Sequence, residues 1–269
     1  MKAQTLMLVL LLTSLTACGQ TNNGSSSNTE RTPSPSVPDQ EEDNTDITQP
    51  PRVRPEELAV IPELKPTMYY VAQEDKVNCK GRYRGVEYVG TEKSNILDPQ
   101  GRILATVCTR FLKTLDMEGT GILKDRGAGK VTVNYATRIN GQIRYHAVKK
   151  CIYGEGVRRD LCLLPYHTIA SDNTVHKIDE VIYIPRAEGI ELPDGTIHEG
   201  YFIVRDTGGA FDGIGAQRID LFTGLDPDNN NAFSRAGFSH VTPMEAFKVR
   251  GVSAELIKKR LQERFGAIY

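Results

Sequence analysis

Tyr201-Phe-Ile-Val-Arg-Asp-Thr-Gly-Gly-Ala210, followed by Gln217-Arg-Ile-Asp-Leu-Phe222, is the stretch on which the fold turns. An apolar, β-branched run ends in Asp206, and Gly208-Gly209 then lets the backbone turn tightly or approach a ligand closely. A second strand follows and carries Asp220. Upstream, Tyr166-His-Thr-Ile-Ala-Ser-Asp172 precedes another apolar run, Val181-Ile-Tyr-Ile-Pro185. Carboxylates at strand ends, separated by glycine turns, are usually turn or cap residues. Here their density in one short region marks a candidate site.

Further strands are expected at Val131 to Tyr135, Gln142 to Val148, Glu180 to Ile184, Phe202 to Arg205 and Arg218 to Phe222. Turn chemistry at Asn140-Gly141, Pro193-Asp194-Gly195 and Gly208-Gly209 separates several of them. Asp98-Pro99-Gln100 reads as a capped helix start, with Ile103, Leu104, Val107 and Phe111 at helical spacing. From Thr114 to Glu118 the period changes to two, predicting a strand with Leu115 and Met117 inward and Thr114, Asp116 and Glu118 on the other face. Ser253 to Phe265 predicts a last helix, with Leu256, Ile257, Leu261 and Phe265 on one face. The expected class is mainly β, a barrel with peripheral helices.

The N-terminus carries a different signal. Met1-Lys2, an apolar run from Leu6 to Leu12, and Leu15-Thr16-Ala17-Cys18 form a secretory signal too short for an ordinary membrane span. The tetrad resembles the bacterial lipobox, which implies lipid on Cys18 and a signal peptide over residues 1–17. Gly19 follows Cys18 where an Asp would hint at inner-membrane retention, so the expected location is the cell envelope, at the outer membrane facing the periplasm in a two-membrane cell. Residues 18–65 are rich in Asn, Ser, Thr, Pro, Asp and Glu and predict a disordered linker behind the anchor. Residues 66–269 are left for the folded part. A net charge of −1 argues against a nucleic-acid partner. Cys79, Cys108, Cys151 and Cys162 make an even set suited to two disulfides in an oxidising compartment. Three pairings are open, and short loop length favours Cys151 with Cys162, leaving Cys79 with Cys108. A zinc site lacks a CxxC pair or a histidine cluster to support it, and no metal or other cofactor is expected.

Ile169-Ala-Ser-Asp172, Asp206-Thr-Gly-Gly-Ala210 and Arg218-Ile-Asp220 with Phe222 resemble, in this order, the 3D (three-aspartate) domain. That domain occurs in the membrane-bound lytic transglycosylase A (MltA) family and in related cell-wall proteins. The resemblance runs from about Tyr166 to Gly224. It implies a double-psi β-barrel, peptidoglycan glycan strands as substrate, Asp220 as the acid, and Asp206 and Asp172 in support; Thr114 and Glu118 are weaker groove candidates. Two departures stand out. Phe211 to Gln217 lengthens the loop before Asp220, and the region from Thr67 to Cys162 shows no recognisable counterpart of the additional domain with which MltA enzymes close their groove.

The chemistry needs few groups. Ordinary glycosidases use two carboxylates. A lytic transglycosylase needs one, because the C6 hydroxyl of muramic acid attacks the anomeric carbon and leaves a 1,6-anhydro product. Such an acid must be protonated near neutral pH, which burial or a neighbouring carboxylate achieves. Asp206-Thr207-Gly208 also matches the core of aspartic proteases, but a second such triplet is missing. Gly213-Ile-Gly215 has no βαβ unit around it to make a dinucleotide site. The rival from another class is an expansin-like module that grips peptidoglycan without cutting it.

Overall fold

The computed structural model describes residues 53–211, 213–227 and 230–266. Cys18, the signal segment and most of the expected linker lie outside the described residues. The strands are β1 (Leu58–Leu64), β2 (Thr67–Tyr69), β3 (Ala72–Gln73), β4 (Lys80–Tyr83), β5 (Val86–Val89), β6 (Lys93–Leu97), β7 (Ile103–Cys108), β8 (Thr120–Leu123), β9 (Val131–Ile139), β10 (Gln142–Ala147), β11 (Thr168–Ser171), β12 (Val181–Tyr183), β13 (Tyr201–Asp206), β14 (Ile219–Phe222) and β15 (Met244–Val249). Three helices complete the set: α1 (Thr109–Glu118), α2 (Ala232–Arg235) and α3 (Gly251–Phe265). The protein is thus mainly β, and none of the described helices is long and apolar enough to cross a membrane.

Seven strands form the larger sheet in the order β1-β15-β12-β13-β11-β14-β2. Its middle strands are buried along nearly their whole length, which is why Thr168 to Ser171 and Tyr201 to Val204 read as continuous runs rather than alternating ones. β11 pairs parallel with β13 and antiparallel with β14. The sheet's two edge strands, β1 and β2, are consecutive in sequence and joined by Lys65 and Pro66 alone. A second sheet, β10-β9-β8-β3, comes from the chain inserted between β2 and β11. This insertion has a core of its own, built on Ile96, Val107, Phe111, Leu115, Val133 and Tyr145. An additional lobe is therefore present in the region whose role the sequence left open.

The two disulfides pair Cys79 with Cys108 and Cys151 with Cys162, the arrangement favoured on loop length. Three other expectations are corrected. The segment from Asp98 is not a helix but a turn followed by β7. Asp98 caps that turn by accepting from the amides of Gln100 (2.9 Å) and Arg102 (2.8 Å), and Gly101 supplies the positive φ. Thr114 to Glu118 is not a strand but the end of α1. Phe111, Thr114 and Leu115 form its buried face, and Gly119 ends it in the left-handed conformation. The five-residue alternation was too short to distinguish the two periods.

The third correction concerns the linker boundary at residue 65. Ordered structure reaches back through β1, which pairs with β15 from Leu58↔Val249 to Leu64↔Met244. Glu57, just before it, accepts from the Ser253 hydroxyl at 2.5 Å and from the Ser253 amide at 3.4 Å. A carboxylate from one end of the folded region thereby serves the first turn of α3, where the helix dipole favours negative charge. These donors, the hydroxyl foremost, lower the Glu57 pKa to about 2 against the cost of burial.

Candidate active site

Asp206 and Asp220 face each other across one alanine. In register, Ala170 of β11 is partnered by Asp206 on one side and by Asp220 on the other. Two strand spacings put the two aspartate Cα atoms about 10 Å apart. In-register residues share a sheet face, and the residue between them in the register is Ala170. The sequence reading expected adjacent strands; β11 intervenes instead.

This arrangement depends on a bulge. The β11–β13 register runs Thr168↔Ile203, Ile169↔Val204 and then Ala170↔Asp206, so Arg205 is the extra residue. Without it, Asp206 would point to the opposite face, because side chains alternate along a strand. The Arg205 carbonyl is fixed by the Val157 amide at 3.0 Å, within the loop closed by Cys151–Cys162. Gly156 packs so close that a Cβ there would lie 2.1 Å from the same oxygen.

The surroundings are largely apolar. Ala170, Tyr69, Phe222 and Phe211 belong to one buried cluster. Burial, reinforced by the charge of Asp220, pushes the Asp206 carboxyl up to about 6. Two donors pull the other way: the Thr207 amide on Oδ1 at 2.9 Å and the Tyr69 hydroxyl on Oδ2 at 3.4 Å. The Tyr69 phenol is itself buried, and the charges of Asp206, Asp220 and Glu118 add to that burial in holding its proton well above the ordinary range. The arrangement is two carboxyls flanking Ala170 in a desolvated setting, one of which holds its proton to higher pH than an ordinary aspartate.

Asp172 has another task. Its Oδ1 accepts from the Thr174 hydroxyl (2.6 Å) and amide (2.8 Å), and its Oδ2 from the Gly213 amide (3.2 Å). Those bonds, the Thr174 hydroxyl first, hold its pKa below the usual value. Asp172 is therefore an ionised bracket that ties the long loop after Gly209 to the end of β11. Phe211, buried in the cluster, nails the same loop down from its other side. Thr114 is buried within α1 and donates back to the Arg110 carbonyl at 3.2 Å, so it lines no groove. Glu118 does approach: its Oε2 accepts from the Tyr70 amide at 3.2 Å, beside Tyr69. Tyr69 itself was missed. Its only sequence signal was a short Met68-Tyr69-Tyr70 run, and its role arises from β2 pairing in parallel with β14, Phe222↔Tyr69. A separate cavity of about 300 Å³ lies at the other end of β11 and β14, lined by Tyr153, Tyr166, His167, Asp226 and Phe265 among others. Neither Asp206 nor Asp220 lines it.

Residues 167–241 match the family model of the 3D domain, a span that contains all three aspartates. The chain carries a 3D domain there. Among solved structures the fold is similar to MltA of Escherichia coli with bound chitohexaose, at 14% identity and a TM-score of 0.44, over 70% of this chain and 72% of that one. A membrane-bound lytic murein transglycosylase from Agrobacterium tumefaciens gives 14% and 0.42, over 68% and 72%. MltA from Neisseria gonorrhoeae gives 15% and 0.38, over 63% and 51%. No curated protein matches the sequence.

Proposed function

We propose that the protein is a peptidoglycan lytic transglycosylase that uses Asp220 as its single acid and base. The observation that carries the reading is the carboxyl pair across Ala170, with Asp206 pushed up to about 6. A desolvated site that pushes a carboxyl upward from its ordinary value is the kind of setting an acid in this reaction needs. Asp220 gives its proton to the glycosidic oxygen as the bond to the anomeric carbon breaks. The muramic acid C6 hydroxyl then adds to that carbon, and its proton returns to Asp220. The 3D match over residues 167–241 supports assigning the acid to Asp220, the aspartate of the Arg-Ile-Asp strand.

The larger sheet is read here as a closed double-psi barrel. Support comes from its edges. Six spacings of about 4.8 Å would part β1 from β2 by roughly 29 Å in a flat sheet. The Lys65-Pro66 link spans at most about 11 Å between Leu64 and Thr67, at about 3.6 Å per residue. A sheet curled until its edges nearly meet would satisfy that short link. Lipid on Cys18 would hold the enzyme at the envelope membrane, facing the wall. Cys18→Ser should abolish labelling by palmitate and release the protein from the membrane fraction; a variant that stays with membranes refutes the anchor.

The test of activity compares wild type with Asp220→Asn on purified sacculi, with products identified by mass and binding by pull-down. Wild type should release 1,6-anhydromuramyl ends. The near-isosteric variant should lose about 10²–10⁴-fold in rate while still binding. Reducing ends from the wild type would indicate hydrolysis by water and overturn the transglycosylase reading. Binding by both proteins with cleavage by neither would instead favour the expansin-like module.

A further inference from the structure

The inserted lobe is basic within a chain that is not. Between Gln73 and Lys150 stand fifteen Lys and Arg against eight Asp and Glu, while the whole chain carries −1. Some of these cations are matched by acids: Arg102 by Asp98, Arg126 by Glu74 and Lys130 by Asp75. Those of the β4–β5 hairpin are not. Lys80, Arg82 and Arg84 are exposed and form no ion pair among the described residues, and Glu87, opposite Arg82 in register, is the one acid between Lys80 and Val89.

The turn of this hairpin is its most telling part. Tyr83↔Val86 is the last pair, so Arg84 and Gly85 alone make the turn, with φ of 49° and 84°. A two-residue turn of this hand favours Asn-Gly, and a left-handed backbone disfavours an ordinary side chain such as arginine. The arginine stands at the tip against its backbone preference, which directs attention to its guanidinium. That group donates to the Met117 thioether at 3.6 Å, a weak and uncharged acceptor. The hairpin is also firmly seated. Cys79–Cys108 fixes its base, and Arg110 of α1 donates to the Lys80 carbonyl at 2.7 Å and lies 5.8 Å over the Tyr83 ring. Gly81 and Tyr83 therefore face α1, and Lys80 and Arg82 face away from it. The tip meets the end of α1, where Met117 is followed by Glu118, which accepts the Tyr70 amide beside Tyr69 and Asp206.

Resting on the reading above, we propose that the β4–β5 hairpin is a recognition arm for the free carboxylates of the peptides that the wall's glycan carries, with Arg82 and Arg84 as the contacts. Guanidinium groups match carboxylates with paired, charge-assisted hydrogen bonds, and a seated hairpin presents them without first being ordered. The place of the tip, at the helix end that leads to Tyr70 and Tyr69, favours a substrate contact over a membrane contact.

The test uses the full-length protein with Cys18→Ser, which removes the lipid as a source of binding, and reads pull-down in the cold, without turnover. The probes are purified sacculi and the same sacculi with their carboxylates capped as methylamides. Wild type should bind native sacculi more tightly than capped ones, and added salt should narrow the gap. Arg82→Gln with Arg84→Asn should weaken binding to native sacculi about 3–10-fold and leave binding to capped sacculi unchanged. Arg84→Asn alone should melt no lower than wild type, because Asn-Gly suits the turn; a lower melting temperature would assign Arg84 to the fold and overturn the proposal. So would unchanged binding to native sacculi in the double variant, or an equal loss on capped sacculi. Wild type that binds both preparations alike overturns this proposal alone, whereas wild type that binds neither overturns the peptidoglycan reading with it. Loss of binding to vesicles of phosphatidylglycerol and phosphatidylcholine, with binding to sacculi intact, would make the hairpin a membrane contact instead.

Discussion

Replacing Asp206 by Asn should stabilise the protein, and only above a definite pH. In the fold the Asp206 carboxyl is raised from 3.8 to about 6. A raised acid contributes stability that is fully present below its unfolded value and is lost as pH rises through the folded one. Wild type should therefore weaken between about pH 4 and pH 7 by an amount that Asn does not share. The 2.2-unit difference, at about 1.36 kcal/mol per unit, sets an upper bound near 3 kcal/mol. The side chain is partly exposed, and solvent screening reduces this to about 1–2 kcal/mol. At roughly 2–4 °C per kcal/mol for a domain of this size, Asp206→Asn should melt about 2–8 °C higher at pH 8. At pH 3.5 the two proteins should coincide. Asn can still accept from the Thr207 amide, and its own amide can donate to the Tyr69 oxygen, so the replaced side chain keeps two hydrogen-bond partners. Urea titrations of both proteins with disulfides intact, from pH 3.5 to 8, measure the difference. A gap independent of pH, or a variant less stable at pH 8, would refute the claim that the site holds Asp206 against its own charge.

Gly156→Ala should displace the Arg205 bulge, because its Cβ would fall 2.1 Å from the Arg205 carbonyl. We expect a loss of about 2–4 kcal/mol and of glycan cleavage, with Gly266→Ala, which meets nothing within 4 Å, as the neutral control by denaturation and product analysis. His198 is fully buried, donates from Nε2 to the Tyr166 carbonyl and accepts the Gly200 amide on Nδ1; burial holds it near 4. A depressed histidine destabilises the fold as pH falls from about 6.5 to 4, by up to about 3 kcal/mol. His198→Gln should flatten that acid limb in a stability–pH series, and an unaltered limb would assign the loss to other groups.

The parts of this molecule legible in sequence were those whose environment is symmetric along the chain. Tyr201 to Val204 is buried on both faces, so its composition alone announced a central strand. α3 displayed its buried Ile257 and Leu261 at helical spacing. β1 did not read as structure, because its apolar residues sit among Pro62 and Glu63 and its ordering comes from β15, far along the chain. The turn at Asp98 and strand β7 were mistaken for a helix because Asp98 caps turns and helices alike. At the site, the three aspartates were singled out by an order of motifs resembling the 3D domain, whereas Tyr69 was not, since nothing local indicates which strand β2 will join. The bulge at Arg205 was equally hidden. It is a property of two paired strands, and the sequence displays one strand at a time.

The pairing of β1 with β15 also constrains when the molecule can fold. β1 is an edge strand whose neighbour in the larger sheet is β15, and Glu57 is bonded to Ser253, 196 positions later. A chain emerging from its N-terminus holds β1 unpaired until Met244 to Val249 have followed, and α3 cannot seat on Glu57 before that. Contacts of such long range make assembly slow, since loop closure must precede any gain. The insertion lobe is different: its sheet, its core and the Cys79–Cys108 bridge lie within one contiguous segment. It can form first and wait. Chains that end before residue 244 should therefore contain a folded lobe joined to an open sheet with an unpaired edge, a form prone to degradation and aggregation. Completion of the larger sheet is thus tied to arrival of Met244 to Val249.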